Sequence, residues 1–381
     1  MYSLSGYGTM LDDGVRLQPY VQALHKTVRP GSVVLEIGTG PGVLAVLACR
    51  LGASRVYAVE PSPVIQVARE IAAANGCADR IEFIEGLSTQ LTLPVQADVI
   101  VSDLRGILPL FQTHLPSIAD ARRRFLKPGG ALIPKRDAVW ASVVETPERY
   151  ARVVDCWEKN PLQQDLSPAR RLAVNDFYKS RFKPEQLLAP PQLWAALDYH
   201  TVESADVGGS LRFLTQRAGT GHGLVLWFDA CLADGIGFSN APDKPEAVYG
   251  SMFLPWTEPV ALPAGTPISV DLAAALVEND YVWRWTTDIG STAGTAKGPR
   301  FEQSQLGGTM ISLDKLRHSA SDYVPQLSQD GRVHRRVLEL MDGRRSLEEI
   351  ARVLAAEFPQ RFARWQKALS HAAKISQDHG Q

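Results

Sequence analysis

Five short apolar runs alternate with helix-like segments across residues 33–135, and this alternation is the strongest constraint on the fold. The runs are Val33–Ile37, Arg55–Val59, Ile81–Ile84, Ala97–Val101 and Ala131–Ile133. Helix-like stretches from Gly42 to Arg50 and from Ser62 to about Asn75 separate the first three. Strand and helix alternating at this pitch predict a parallel, doubly wound (Rossmann-like) α/β sheet with helices on both faces. Lys127-Pro128-Gly129-Gly130 is a turn signal before the last run.

The first strand runs into Glu36-Ile37-Gly38-Thr39-Gly40-Pro41-Gly42. Glycines between a strand and a helix permit a tight turn and let a ligand approach the backbone. The spacing is GxGxG rather than the GxGxxG of dinucleotide sites. Preceded by an acidic residue, it is similar to the pattern of class I S-adenosylmethionine (SAM) methyltransferases. Gly38, Gly40, Gly42 and Glu36 are therefore candidate cofactor residues. Glu60, followed by Pro61, ends the second strand, where a carboxylate can accept two hydrogen bonds from a ribose diol. NAD enzymes share that feature, and a carboxylate there can also cap the helix near Ser62.

Past Pro134 the character changes. Residues 138–145 and 212–300 hold β-type runs, among them Leu224–Phe228 and Tyr281–Trp285, punctuated by Gly, Pro and Asn. They predict a mostly antiparallel β-domain. Residues 148–200 read as helical with proline breaks, residues 290–330 read as a Gly/Ser/Thr/Gln-rich linker, and the tail from about 331 reads as helical. Two tail helices are expected, Val333–Met341 and Ser346–Phe358, the second opened by the capping box Ser346-Leu347-Glu348-Glu349.

With these residues placed, roughly residues 2–300 resemble the protein arginine methyltransferases. Met10-Leu11-Asp12-Asp13-Gly14-Val15-Arg16 with Tyr20 is similar to the family's helix before the sheet. The resemblance implies that Met10 and Arg16 lie on the cofactor side, with Arg16 on the cofactor's carboxylate. Val99 to Gly106 resembles the acceptor strand and loop, and Arg122 to Pro134 the next helix and strand. Trp227-Phe228-Asp229 and Gly237-Phe238-Ser239 resemble β-barrel segments. The implied organisation is a SAM-binding domain at 1–135 and a β-barrel substrate domain at 136–300. A helical dimerisation arm at about 150–185 interrupts the barrel. A linker at 301–330 and a small helical or winged-helix domain at 331–381 follow. Leu338 to Ile350 resembles the pyrroloquinoline-quinone peptide chaperones, which add a peptide as a strand to a sheet edge.

The departures bear on chemistry. The family's acceptor loop carries two glutamates; here the positions hold Asp103 and Gln112, the candidate catalytic pair. The Thr-His-Trp barrel loop falls at Ala247-Val248-Tyr249, and the glutamate expected near the adenine is Thr89. A protonated guanidinium is a poor nucleophile, and two carboxylates would hold it and help its proton leave. Asp103 with a neutral Gln112 suits a less basic nitrogen or an oxygen better. His114, Asp229 and Arg105 are weaker candidates for the same pocket.

The expected function is SAM-dependent methylation of a protein or peptide side chain, with arginine possible. A small-molecule methyltransferase and a non-catalytic SAM-binding scaffold are the alternatives. Lys plus Arg is 40 against 41 for Asp plus Glu, a balance that gives no expectation of a nucleic-acid partner. No apolar run spans a membrane, and the N-terminal residues lack a secretory pattern, so no membrane partner is expected. The four scattered cysteines show no metal spacing and suit a reducing cytoplasm. A homodimer is the expected assembly.

Overall fold

A computed structural model describes residues 3–159, 162–290, 298–310 and 312–380. Two helices lead in, α1 (Leu4–Asp12) and α2 (Gly14–Thr27). Then come β1 (Val33–Ile37), α3 (Val43–Arg50), β2 (Arg55–Glu60), α4 (Ile65–Ala74), β3 (Ile81–Glu85) and β4 (Ala97–Ser102). Helix α5 (His114–Phe125) and β5 (Leu126–Ile133) complete the first layer. The strands pair in parallel in the order β3-β2-β1-β4-β5, as the alternation predicts. Chain direction across the sheet reverses between β1 and β4, so a crevice opens outside the carboxyl ends of the strands.

The antiparallel part contains β6 (Arg136–Val144), α6 (Pro147–Val153), α7 (Ser167–Ala173), β7 (Tyr178–Ser180) and β8 (Gln192–Asp198). It continues with β9 (Val207–Leu214), β10 (Gly219–Ala233), β11 (Ile236–Ser239) and β12 (Ser251–Leu262). Strands β13 (Pro267–Val277), β14 (Asp280–Ile289) and β15 (Arg300–Ser304) close it. The strands pair as a six-stranded sheet, β7-β12-β10-β6-β8 with β11 on β10, and a four-stranded sheet, β15-β14-β13-β9. The expected barrel is therefore two sheets rather than one continuous ring of pairing among the described residues. One core runs from Leu35 and Ile100 in the first layer to Leu226, Trp256 and Trp283 in the second.

Two expectations need correction. The helical reading of 148–200 fails from Tyr178 onward: residues 178–180 and 192–198 are strands. Pro190-Pro191 favours extended backbone, and β8 gains ladder bonds from β6. The linker reading of 301–330 fails at its start, because β15 pairs with β14 and buries Phe301 and Gln303 on one face. Within 150–185, Tyr150, Val153, Val154 and Val174 bury against Phe182, Val225 and Phe253.

Residues 310–381 form a second compact unit. It holds α8's successors: after α8 (Gln305–Gly308) come α9 (Leu313–His318), α10 (Gln329–Leu340), α11 (Leu347–Glu357) and α12 (Trp365–His379). Val333, Val337, Leu340, Ile350, Leu354, Phe362, Ala368, Ala372 and Ile375 make its own core. The capping box forms as read. No strand follows Ser304 among the described residues, so the tail offers neither a wing nor a sheet edge for a peptide. No helix among them is long and apolar enough to cross a membrane.

Candidate active site

The glycine turn lies between β1 and α3, at the mouth of the crevice. Gly38 and Thr39 donate backbone N–H bonds to the Val59 carbonyl at 2.8 and 3.0 Å, which tie the turn to β2. Thr39 Oγ1 donates to Glu36 Oε2 at 2.5 Å. Glu36 is buried, and burial pushes its pKa up to about 8. It braces the turn from inside, since Ala45 in the first turn of α3 also donates to it. Gly42 has φ +81°, and a Cβ there would come within 2.9 Å of the Ala68 Cβ on α4. It thus allows α3 and α4 to approach closely. A Cβ on Gly38 would collide with Leu104, and one on Gly40 would meet the Tyr7 ring of α1 at 2.8 Å.

Glu60 is buried at the end of β2. Its Oε2 accepts from the Gly40 N–H and its Oε1 from the Ser62 N–H, both at 3.0 Å. Each carboxylate oxygen retains one lone-pair direction, the arrangement that a pair of adjacent hydroxyls requires. The Ser62 contact lies just before the entry to α4, whose first turn carries no side-chain cap. Pro61 is exposed beside it, and Thr89 is exposed in a short turn over Ser88–Gln90.

Asp103 follows β4 directly and meets three donors. Arg16 Nη1 reaches its Oδ2 at 2.5 Å, and Arg105 Nη1 reaches its Oδ1 at 3.2 Å. The Tyr249 hydroxyl lies 2.7 and 2.8 Å from the two oxygens. Burial opposes ionisation of Asp103, but the Arg16 and Arg105 charges outweigh it and hold the carboxyl below its usual range. Arg16 Nη2 donates to the Met10 carbonyl at 2.7 Å, and its Nε is buried without a partner. Asp13 fixes this corner: it accepts from the Arg16 N–H, capping α2, and from the Val248 N–H at 2.7 Å.

Behind Asp103 lies a second carboxylate, Asp137. Arg105 binds it in bidentate fashion, Nε to Oδ2 at 2.7 Å and Nη2 to Oδ1 at 2.8 Å. Both side chains are wholly buried. Arg105 Nη1 also donates to Tyr20 Oη at 2.7 Å, and Tyr20 donates to the Ser102 carbonyl. The Phe228 and Phe238 ring centres lie 5.5 and 5.8 Å from the guanidinium. Tyr199 donates to Asp137 Oδ2 at 2.6 Å, so its oxygen accepts from His114 Nε2 at 2.9 Å. Burial and the Arg105 charge push the His114 pKa down to about 3, which keeps the ring neutral.

The structure thus brings Met10, Arg16 and Asp103 together, and separately Glu36, Gly38, Gly40, Gly42 and Glu60. No hydrogen bond joins Gln112 to Asp103 among the described residues. Gln112 is exposed with φ +44°, and its side chain makes no hydrogen bond among the described residues. Asp229 lies outside the cluster, accepting from Trp140 Nε1 at 2.8 Å. Sequence reasoning missed Asp137, Tyr199 and the role of Tyr249. A signal for Asp137 existed: it shares strand parity with buried Val139, Ala141 and Val143. Among the described residues no group of three or more His, Cys, Asp or Glu could hold a metal ion.

Residues 18–134 match the family described as Ribosomal protein L11 methyltransferase (PrmA). A curated relative, "Probable protein arginine N-methyltransferase 6" of Arabidopsis thaliana, is 30% identical over 62% of this chain and 55% of its own. "Protein arginine N-methyltransferase 6" of Xenopus laevis is 28% identical over 69% of this chain and 81% of its own. The chain spans just over half the length of the first such relatives, 55% and 58%. Among solved structures, the Trypanosoma brucei PRMT1 enzyme-prozyme heterotetrameric complex with AdoHcy has a TM-score of 0.71 at 22% identity. It covers 78% of this chain and 97% of its own. Arabidopsis thaliana protein arginine methyltransferase 10 has a TM-score of 0.70 at 22% identity, over 80% and 98%. The fold is that of the protein arginine methyltransferases. It accounts for the crevice, the two antiparallel sheets and the position of Asp103 after β4.

Proposed function

We propose that this chain is a SAM-dependent methyltransferase that modifies a protein or peptide side chain. The observation that carries the reading is Glu60. It is a buried carboxylate at a strand end, anchored by two backbone N–H groups and left with a lone pair on each oxygen for a ribose diol. Arg16 adds the complementary feature, since its buried, unpartnered Nε suits the donor's carboxylate. The names of the curated relatives and the AdoHcy in a structural neighbour support the same donor.

When bound, SAM supplies an electrophilic methyl group on a sulfonium. The chain's residues supply position: the glycine turn and Glu60 hold the nucleoside, Arg16 the amino-acid end, and Asp103 orients the acceptor. Pro61, Thr89 and Met10 border the donor in this proposal, and Gln112 lies at the rim of the acceptor side. The proposal includes a homodimer through 150–185, where Trp157 and Leu162 are exposed, and a reducing, cytoplasmic setting that the four free cysteines suit.

Calorimetric titration with SAM and with its demethylated product tests the donor, and transfer of labelled methyl to peptides tests the reaction. Micromolar binding is expected. No heat from either ligand on folded protein rejects the proposal.

One observation favours a second reading, a SAM-binding scaffold without catalysis: the three donors on Asp103 tie up the carboxylate expected to meet an acceptor. Tight donor binding with no turnover on any peptide would decide for it.

A further inference from the structure

We propose that Arg105 is a positioning residue for methyl transfer. Held from behind by Asp137, it fixes the Asp103 carboxylate while one lone pair of that carboxylate stays open for an acceptor N–H. The inference rests on the methyl-transfer reading and adds to it the group that holds Asp103 in place.

A guanidinium can aim a carboxylate only when its own plane is fixed. Nε and Nη2 of Arg105 lock onto the two oxygens of Asp137 at 2.7 and 2.8 Å, which sets that plane. Nη1 then reaches Asp103 Oδ1 at 3.2 Å and Tyr20 Oη at 2.7 Å. Tyr20 passes the restraint to the backbone, because its hydroxyl donates to the Ser102 carbonyl, one residue before Asp103. The anchor is itself held. Asp137 comes from β6 and takes a further bond from Tyr199, whose oxygen accepts from His114 on α5. Both members of the Arg105–Asp137 pair are wholly buried. Such a pair adds little to stability, because taking two charges out of water offsets their attraction. Its contribution here is the orientation of Asp103.

Asp103 keeps room for a substrate. A carboxylate offers about four lone-pair directions. Arg16 and Arg105 take one each, and Tyr249 has a single proton for both oxygens. About one direction therefore remains, which an acceptor N–H can take whether it is charged or neutral. Arg16 can keep its Nη1 on Asp103 while its unpartnered Nε meets the donor's carboxylate. In the transfer the acceptor's lone pair bonds to the methyl carbon, the carbon–sulfur pair leaves on sulfur, and the acceptor's proton goes to water. Asp103 holds the acceptor through that step.

Charge supports the geometry. Burial opposes ionisation of Asp103, and the Arg16 and Arg105 charges keep it ionised. Around it stand Arg16 and Tyr20 from α2, Arg105, and Tyr249, with Asp137, Tyr199 and His114 behind them. Burial keeps His114 neutral and the three tyrosines protonated.

The test uses the full chain, labelled SAM and a pool of arginine-containing peptides. Arg105→Met with Asp137→Asn removes the pair together. The melting temperature and the affinity for the demethylated donor product should hold, while kcat falls about 100-fold, the effect of a displaced catalytic group. The acid limb of kcat should also move to higher pH, because Asp103 has lost a positive neighbour. Arg105→Lys keeps the charge without the fork, so its acid limb should stay in place while kcat still falls. Tyr20→Phe removes the hydroxyl between Arg105 and Ser102 and should lower kcat with the acid limb unmoved, so one unfolded variant does not end the test. A merely structural role would lower the melting temperature and leave the acid limb where it was. A folded double variant with wild-type kcat, or with an unmoved acid limb, overturns the inference. If wild type binds no donor product or transfers no methyl group, the methyltransferase reading fails instead. The Asp103 carboxyl is then titrated directly by carbon-13 NMR of Cγ-labelled aspartate, with Asp103→Asn to assign its signal. It should titrate at higher pH in the double variant than in wild type, and an unchanged titration overturns the hold of Arg105 on Asp103.

Discussion

Burial keeps Glu36 largely protonated at neutral pH, with a pKa near 8 against 4.5 for an ordinary glutamate. Between those values the folded state holds a proton that the unfolded state has lost, so stability falls as pH rises through that window. Glu36→Gln keeps an acceptor for Thr39 and removes the titration. The melting temperature of this variant should fall less than that of wild type between pH 5 and 8, as read by scanning calorimetry. His114 has the opposite sign. Its folded pKa of about 3 lies below the ordinary 6.5, so its contribution is lost as pH falls from 6.5 toward 3. His114→Gln should flatten the acid limb, whereas Glu36→Gln should leave its part below about pH 4.5 almost unchanged. In the cleft, Glu60→Ala should weaken SAM binding by roughly 1–3 kcal/mol, the worth of a charged hydrogen-bond partner. Unchanged calorimetric affinity would remove Glu60 from the site. Glu36 and Glu60 were legible because strand, glycine turn and helix are contiguous in sequence. The surroundings of Asp103 were not, because Tyr249 lies 146 positions away and arrives only when the second sheet closes over the first.

At the scale of elements, period and punctuation showed most of the parallel sheet and the capped helix α11. Strand β15 was hidden by its polar composition, although Phe301 and Gln303 alternate inward. Helix α12 went unread although Ala368, Ala372 and Ile375 mark a buried stripe at helical spacing. Strand β8 was taken as helix because leucine, alanine and tryptophan are compatible with either state until a neighbouring strand decides. The cap on α11 gives a direct test. Ser346 accepts from the Glu349 N–H, and Glu349 accepts from the Ser346 N–H. Ser346→Ala should destabilise the C-terminal unit by about 1 kcal/mol, seen in helical ellipticity on heating. Donor affinity should stay the same.

Across the whole molecule, two compact units, each with a core of its own, imply two cooperative transitions. Leu354 is fully buried in the smaller one. Leu354→Ala should lower that transition alone, by about 2–5 kcal/mol, while the larger transition holds its temperature. A single merged endotherm that moves as a whole would contradict this independence. The boundary after Thr309 was only partly legible, because the polar run that suggests a connector also contains β15.

The Arg105–Asp137 couple has a bearing on how sequences related to this one can diverge. A lone replacement would strand a charge out of water, at a cost of about 3–5 kcal/mol, a large share of the roughly 5–15 kcal/mol that holds a typical domain folded. The two positions should therefore change together or not at all, and across a set of homologues they should covary as a pair. Any lineage found with both exchanged for neutral residues would mark a point where the pocket beside Asp103 was free to take up a different hydrogen-bonding pattern.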